Sequence, residues 1–176
     1  MKIVIENASV TVGSGYPAPF DARCSQRRRW RLGDAAGLTQ FGVNLLRLPP
    51  QQWSSQRHWH RAEDEFVYIL EGAVTLVTDA GETPMSAGDC AAFRAGLANG
   101  HHLQNRSDVE AVILEMGSRR PEEDAVAYPG IDLALPDHAG GYVHVDGSPY
   151  APADKCSARG EVRTGNSGVG KTNFQS

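Results

Sequence analysis

Cysteine is scarce in this sequence of 176 residues, which contains only Cys24, Cys90 and Cys156. The three are widely spaced, odd in number and form no Cys-x-x-Cys pair, so they do not resemble a disulfide framework. The pattern is typical of reduced thiols and predicts a cytoplasmic protein. Cys90 falls in an apolar segment predicted as a core strand, and we expect its thiol to be buried.

Long hydrophobic runs and an excess of positive charge are also absent. No stretch approaches the roughly 18 apolar residues of a membrane span. The opening residues, MKIVIENASV, carry one lysine and a short apolar run, too little for a signal peptide. Lys and Arg number 17 against 21 Asp and Glu, a net charge of −4. Because nonspecific nucleic-acid affinity comes from neutralised phosphates, we expect neither a nucleic-acid nor a membrane partner.

Helical periodicity is missing as well, whereas alternation is frequent. Phe41, Val43 and Leu45 share one face of a predicted strand. Leu46 and Leu48 take the other parity, which indicates a bulge or a strand buried on both faces. Further alternating segments follow, with turn residues about every 8–12 positions. The pattern predicts an all-β domain, a sandwich or barrel of about six or seven strands.

The chain divides into three predicted parts. Residues 1–37 form an N-terminal arm with edge strands, residues 38–150 the barrel, and residues 151–176 a disordered tail of polar, glycine-rich composition. The length fits a single domain. A chain of this size buries roughly 70% of its unfolded surface, so folding does not require a metal.

The tail contains GNSGVGKT, Gly165–Thr172, which matches the phosphate-binding P-loop pattern letter for letter. A P-loop needs a buried strand before it and a helix after it, so that backbone amides converge on the phosphate. Too few residues follow the motif for a helix, and no buried strand is predicted before it. We therefore interpret the match as accidental, or as part of a non-native extension.

A basic run with an aromatic residue inside it lies in the arm: Arg27, Arg28, Arg29, Trp30 and Arg31. It fits either a patch that binds an anion or nucleic acid, or a solvated edge strand whose charges oppose aggregation. The edge strand is the favoured interpretation, and the sequence leaves the role of the run open.

The residues that point to chemistry lie in RHWHRAEDEFVYILEG. His58 and His60 are two apart, so on a strand both imidazoles face one side, and Glu65 begins the next apolar strand. His101 and His102 come later, where a closed barrel would bring one of them to the first three. Three imidazoles and a carboxylate suit one divalent transition metal, Zn, Fe, Mn or Ni. Structural histidines with satisfied hydrogen bonds are the alternative.

The alternation of side chains along a strand places His101 and His102 on opposite faces. His101, Leu103 and Asn105 share one face of a short strand, and His102 and Gln104 take the other. The face that carries the leucine is the better candidate for the interior. His101 is therefore favoured as the fourth ligand, with His102 as the alternative.

At these residues the chain resembles the cupin superfamily. The first cupin motif is G-x5-H-x-H-x4-E-x6-G, and His58, His60, Glu65 and Gly72 match it, with Gln52 in place of the leading glycine. The second motif is G-x5-P-x-G-x2-H-x3-N and is matched more loosely. Gly88, Gly96, His101 and Asn105 match it, Arg94 replaces the proline, and the loop before His101 is longer by two residues.

The resemblance covers roughly residues 38–117. It implies a single-domain cupin β-barrel, a jelly-roll-like antiparallel sandwich, and commonly a homodimer. It also implies one metal held by His58, His60, Glu65 and His101. The chain looks like the small cupins described as sugar-phosphate-isomerase-like, a label for sequence similarity and not for a reaction.

We expect a metal-dependent enzyme that acts on a small organic molecule by Lewis-acid chemistry of the isomerase, lyase or cyclase type. An iron-dependent dioxygenase and a non-catalytic small-molecule-binding or structural cupin are the alternatives. No catalytic residue is assigned. Glu63 and Asp64 flank the ligands, but such a charge run is usually a solvated loop.

The strand that begins at Glu65 also predicts how the chain assembles. Its parity turns Val67 and Ile69 inward and leaves Phe66, Tyr68 and Leu70 outward. Three large apolar side chains on an outer face need a cover. A homodimer is expected to provide it, and another segment of the same chain is the alternative.

Overall fold

The structure is a computed structural model that describes residues 2–137 and 140–150. This part of the chain consists mainly of short strands. They are β1 Val10–Val12, β2 Arg28–Arg31, β3 Phe41–Leu48, β4 Trp59–His60, β5 Glu65–Glu71, β6 Ala73–Thr78, β7 Gly81–Ser86, β8 Cys90–Phe93, β9 His102–Gln104, β10 Ala111–Ser118, β11 Val126–Ala127 and β12 Ala134–Leu135. Among the described residues one short α-helix, α1, spans Leu32–Ala35, and two 3-10 helices span Ile5–Asn7 and Ala22–Cys24. The prediction of an all-β fold is confirmed.

The strands pair into antiparallel sheets. A six-stranded sheet has the order β1-β2-β3-β10-β5-β8, and two smaller sheets have the orders β7-β6-β9 and β12-β11-β4. In the large sheet β10 pairs with β3 from Ala111↔Leu48 to Ser118↔Phe41, and with β5 on its other side. Strands far apart in the sequence are therefore neighbours, as in a jelly-roll-like sandwich.

An aliphatic core packs the six-stranded sheet against the β7-β6-β9 sheet. Its members are Leu46, Leu48, Val67, Ile69, Val74, Met85, Leu103, Ala111 and Ile113. In β5, Val67 and Ile69 are buried, while Tyr68 and Leu70 are 37% and 42% exposed, so the predicted parity is confirmed. Burial of these apolar side chains is the main favourable contribution to folding of the sandwich.

The apolar parity changes within β3 because both faces of this strand are buried. Leu45 and Leu46 are neighbours in β3 and are both buried. The register between β3 and β10 runs without a shift, so β3 contains no bulge along this pairing. Of the two alternatives predicted for Leu46 and Leu48, the strand buried on both faces is confirmed.

Gly72 turns the chain from β5 into β6. Its φ of 76° lies in the left-handed region that glycine tolerates best. A Cβ at this position would lie 3.0 Å from both Ala111 Cα and the Glu110 carbonyl oxygen. The corner therefore requires glycine for both its conformation and its close contact with β10.

An aromatic cluster joins the N-terminal arm to the last described segment. Its buried members are Tyr16, Cys24, Val126, Tyr128 and Leu133, and Phe20, Trp53, Ile131, Leu135, Tyr142 and Tyr150 pack against them. The ring of Tyr16 lies 5.8 Å from that of Tyr128 and 5.1 Å from that of Tyr142. The cluster holds the arm and the last segment to the barrel on the side of the small β12-β11-β4 sheet.

Two sequence-based expectations are wrong. Cys90 is exposed, because it alternates in β8 with Ala91, which packs against the aliphatic core. The basic run is not a solvated edge strand, because β2 lies between β1 and β3 in the large sheet. Arg27, just before β2, is only 7% exposed.

The predicted tail, residues 151–176, lies outside the described residues, together with Cys156 and the P-loop-like motif. The tail and the domain boundaries therefore stay predictions. Among residues 2–137 and 140–150, no helix combines the length and apolar character that a membrane crossing needs.

Candidate metal centre

The four side chains predicted as metal ligands come together at one site. His58 and His101 are opposite each other in an antiparallel β-bridge, with backbone hydrogen bonds in both directions. His60 lies in β4 and Glu65 is the first residue of β5. The bridge therefore brings the second cupin motif onto the first.

Glu65 Oε2 is the common neighbour of the three imidazoles. It lies 2.7 Å from Nε2 of His101, 3.5 Å from Nε2 of His58 and 3.7 Å from Nε2 of His60. The same edge of each imidazole thus faces one carboxylate oxygen. This convergence is what a mononuclear site with three imidazoles and one carboxylate requires.

The other nitrogen of each ring is held by an oxygen acceptor. The pairs are His58 Nδ1 with the Gln56 carbonyl at 2.9 Å, His60 Nδ1 with the Asp124 carboxylate at 2.6 Å, and His101 Nδ1 with the Asn99 carbonyl at 3.3 Å. Carbonyl and carboxylate oxygens only accept, so each Nδ1 carries a hydrogen and donates it, and each ring is held with its Nε2 edge towards Glu65. Metal-ligating histidines are oriented in this way.

Glu65 is kept ionised by its surroundings. Burial by itself would raise its pKa, but the hydrogen bonds from His101 and His58 and the neighbouring imidazoles hold the pKa of this carboxyl well below its usual value. A carboxylate beside three imidazoles is a donor set that fits a divalent transition metal. The cluster can therefore hold a metal, and the donor atoms do not decide which one.

His102 has a different environment from His101. Its Nδ1 donates to the Ser55 carbonyl at 2.9 Å, and its Nε2 accepts from the Gln104 amide at 2.9 Å. Burial lowers the pKa of His102 to about 4, so the ring is neutral. Both of its nitrogens are engaged away from Glu65, which favours His101 over His102 as the fourth ligand.

A cavity of about 370 Å³ opens beside the cluster. His58, His60, Glu65 and His101 lie on its wall, together with polar side chains from the arm and from β10. Phe93 stacks on the His101 ring at 3.5 Å between centroids. The volume of the cavity is within the range of small-molecule sites in proteins.

Several cavity residues were not predicted as part of the site. Arg27, Arg29, Glu115 and Tyr128 line the cavity, and so does Glu63, which was expected in a solvated loop. The basic run held a signal for the first two, because Arg27 and Arg29 are two residues apart and share a face where the chain is extended.

Asp124 was also missed by the sequence analysis. Besides its bond to His60, its carboxylate accepts the backbone N–H of Ala62 at 2.9 Å. It therefore fixes both the ring and the chain next to it. Nothing in the local pattern around Asp124 marks it, because it reaches His60 only through the fold.

Comparison with known proteins agrees with the fold and the motifs. A family model for the cupin domain matches residues 44–117. The chain is 45% identical to a cupin-superfamily sugar phosphate isomerase of Silicibacter pomeroyi, over 86% of this chain and 98% of that one, with a TM-score of 0.80. The chain belongs to the cupin superfamily, and the predicted resemblance is confirmed.

Two further solved structures share the fold. A protein from Acidithiobacillus ferrooxidans, provisionally named a sugar phosphate isomerase, is 33% identical, with 69% of this chain and 76% of that one covered and a TM-score of 0.63. The polyketide cyclase RemF from Streptomyces resistomycificus is 18% identical, with 74% and 86% covered and a TM-score of 0.58. At that identity the last likeness shows the fold alone. Among curated proteins, none matches the chain.

Proposed function

We propose that the protein is a metal-dependent enzyme that acts on a small organic molecule, with one divalent metal held by His58, His60, Glu65 and His101. The observation that carries the proposal is the convergence of three Nε2 atoms on Glu65 Oε2, with each Nδ1 tied to an acceptor. When bound, such a metal polarises a carbonyl or hydroxyl oxygen as a Lewis acid. This chemistry serves isomerase, lyase or cyclase reactions.

Glu63 supports an enzyme over a pure binding protein. It lines the cavity but is not in the predicted ligand set, and its carboxylate lies within 4.8 Å of ligating atoms of His60 and Asp124. The backbone N–H of Arg120 donates to it at 2.5 Å and fixes its position. A carboxylate so placed can take a proton from a bound substrate and return it, which isomerisation requires.

Metal content tests the ligand set. After incubation with Zn, Mn, Fe or Ni and removal of free metal, wild-type protein is expected to hold one ion per chain by elemental analysis. The variants His58→Ala and His101→Ala should lose it. His144→Ala is the matched control, because His144 pairs with Asp132 outside the cluster. Wild-type protein that retains none of these metals would refute the proposal.

Turnover tests the reaction class. The name of the Silicibacter pomeroyi protein makes sugar phosphates the first substrates to try, followed by unphosphorylated sugars and hydroxy acids, with proton exchange followed by NMR in D₂O. Glu63→Gln should keep the metal and lose turnover. If the wild type and Glu63→Gln show the same turnover with every substrate tried, the result favours the non-catalytic binding cupin instead.

We also infer a homodimer formed through the outer face of β5, where Tyr68 and Leu70 are exposed. A two-fold dimer is the commonest assembly that covers such a face. Light scattering should give about twice the 19.0 kDa chain mass, and Tyr68→Glu should dissociate the dimer without unfolding it. A wild-type mass equal to one chain contradicts the inference.

A further inference from the structure

Arg27 is a buried cation with an unused donor on the cavity wall. Its side chain is 7% exposed and lines the same cavity as the histidine cluster. Its Nε donates to the Gly13 carbonyl at 3.1 Å, but its Nη1 is buried and has no hydrogen-bond partner among the described residues. Buried donors are nearly always paired, so an unpaired guanidinium N–H on a residue that lines a cavity points to a group that arrives from outside.

The charge of Arg27 is not balanced by a neighbouring carboxylate. The adjacent cavity arginine, Arg29, is neutralised by Glu115 through two hydrogen bonds of 2.6 and 2.9 Å. Arg27 makes no such ion pair within the part of the chain that the structure describes. Burial, followed by the charge of Arg29, lowers the pKa of Arg27 from its usual value. The folded protein therefore keeps a desolvated positive charge that an anion would stabilise.

The surroundings of Arg27 supply further donors. The guanidinium lies 5.9 Å over the Tyr16 ring, which packs against Tyr128 and Tyr142, and all three phenols line the cavity. Burial raises the pKa of Tyr128 and of Tyr142, so both hydroxyls stay protonated. Protonated hydroxyls beside a guanidinium can donate to the oxygens of a bound anion.

Arg27 and the histidine cluster are connected through one aromatic ring. The Tyr128 ring stacks on His58 at 5.9 Å and meets the Tyr16 ring edge to face at 5.8 Å. The guanidinium and the imidazoles therefore line one cavity and are linked by these two rings. A small molecule can contact both.

We propose that Arg27 binds a carboxylate or phosphate group of the molecule whose other end meets the histidine cluster, which makes the substrate class a small organic anion. The inference rests on the proposed function. A guanidinium presents parallel N–H donors that match the oxygens of either group. The metal ligands handle the reacting end, and Arg27 with the phenols fixes the orientation.

Binding of simple anions tests the proposal. Full-length protein is dialysed against a chelator, checked by circular dichroism to be folded, and titrated with inorganic phosphate and, separately, with acetate by calorimetry. At least one should bind in the millimolar range typical of so small a ligand. Arg27→Gln should weaken it about tenfold or more, as expected for loss of a charge-assisted hydrogen bond.

Arg106→Gln is the matched control, because Arg106 is an exposed arginine paired with Glu82 outside the cavity, and its affinity for the anion should equal that of the wild type. A preference for phosphate would identify a phosphate ester, and a preference for acetate a carboxylic acid. The proposal is overturned when neither anion binds, or when Arg27→Gln binds as the wild type does.

A second measurement needs no variant and covers the case in which Arg27→Gln does not fold. In wild-type protein labelled with ¹⁵N-arginine, the Nε–H signal of Arg27 should shift during the anion titration while that of Arg106 stays in place. An Arg27 signal that stays fixed up to saturation overturns the proposal. Elemental analysis of the same sample before chelation reports separately on the metal, so failure of the proposed function is distinguishable from failure of this inference.

Discussion

The aliphatic core and the aromatic cluster are built by different rules. The core takes alternate residues from strands of two facing sheets and contains only apolar side chains. The aromatic cluster joins the arm to the last described segment and includes phenols and a thiol, and Tyr128 carries it to the histidine site. The two regions therefore differ in role, because an apolar core stabilises the barrel while the mixed region places polar groups on the cavity wall.

The largest expected effect is on stability, and it belongs to the aliphatic core. Ile113 is fully buried between β3 and β5. Ile113→Ala should lower the free energy of unfolding by about 2–5 kcal/mol, from lost burial and a cavity, and Ile113→Val by about 0.5–1.5 kcal/mol. Urea denaturation measures both. The folded variant should still bind metal, since Ile113 contributes no ligand.

Leu97→Ala is the control for this loss of stability. Because Leu97 is 54% exposed, its truncation should lower the free energy of unfolding only slightly. Equal losses of unfolding free energy in Leu97→Ala and Ile113→Ala would contradict the expectation that burial in the core sets the size of the effect.

The next effect concerns a polar pair on the cavity wall. Arg29 and Glu115 form a partly buried bidentate pair, with side chains 27% and 17% exposed. Glu115→Gln leaves the Arg29 charge unbalanced and should cost about 1–3 kcal/mol, between the values for buried and exposed pairs. Glu82→Gln breaks the exposed pair with Arg106, which solvent screens, and should cost clearly less than Glu115→Gln. Thermal unfolding of the two variants compares them, and equal shifts would contradict the expected ranking.

The two regions also differ in how far the sequence predicts them. The parity of β5 follows from neighbours along the chain, because alternation is local. The His-x-His spacing is local as well, and it predicted most of the candidate metal centre. The preference for His101 over His102, which stays a prediction, came from the parity of one short strand.

The rest of the cavity depends on contacts between distant segments, which no local pattern records. Asp124 reaches His60 across sixty-four positions, and Tyr128 meets Tyr16 only after the arm has folded back. The basic run was misjudged for the same reason. Whether β2 is an edge strand or an internal one depends on β1 pairing with it, and β1 is too short to be predicted.

Asp124 provides a smaller and more selective effect. Asp124→Asn keeps an oxygen for the Ala62 N–H but places an amide donor against the Nδ1–H of His60. Loss of such a ring-orienting carboxylate should weaken metal affinity about 10–100-fold, with little change in stability. Competition with a metal-binding dye measures the affinity. Glu123→Gln next to it is the control, and unchanged affinity in Asp124→Asn would show that His60 does not depend on this bond.

The smallest effect is a pH dependence in the aromatic cluster. Burial raises the pKa of the Cys24 thiol to about 11, whereas an unfolded thiol titrates near pH 8.5. The raised pKa means that the folded state favours the neutral thiol, so this stabilisation is complete below about pH 8.5 and is lost as the pH rises towards 11. From pH 7 to 9 the free energy of unfolding should fall, by less than about 1 kcal/mol from Cys24 alone. Tyrosines contribute little in this window, because their unfolded pKa is about 10. The measurement is urea unfolding at both pH values in wild type and Cys24→Ala. The decrease should be smaller in the variant by that amount, and an identical decrease would mean that the Cys24 thiol is not held neutral by the fold.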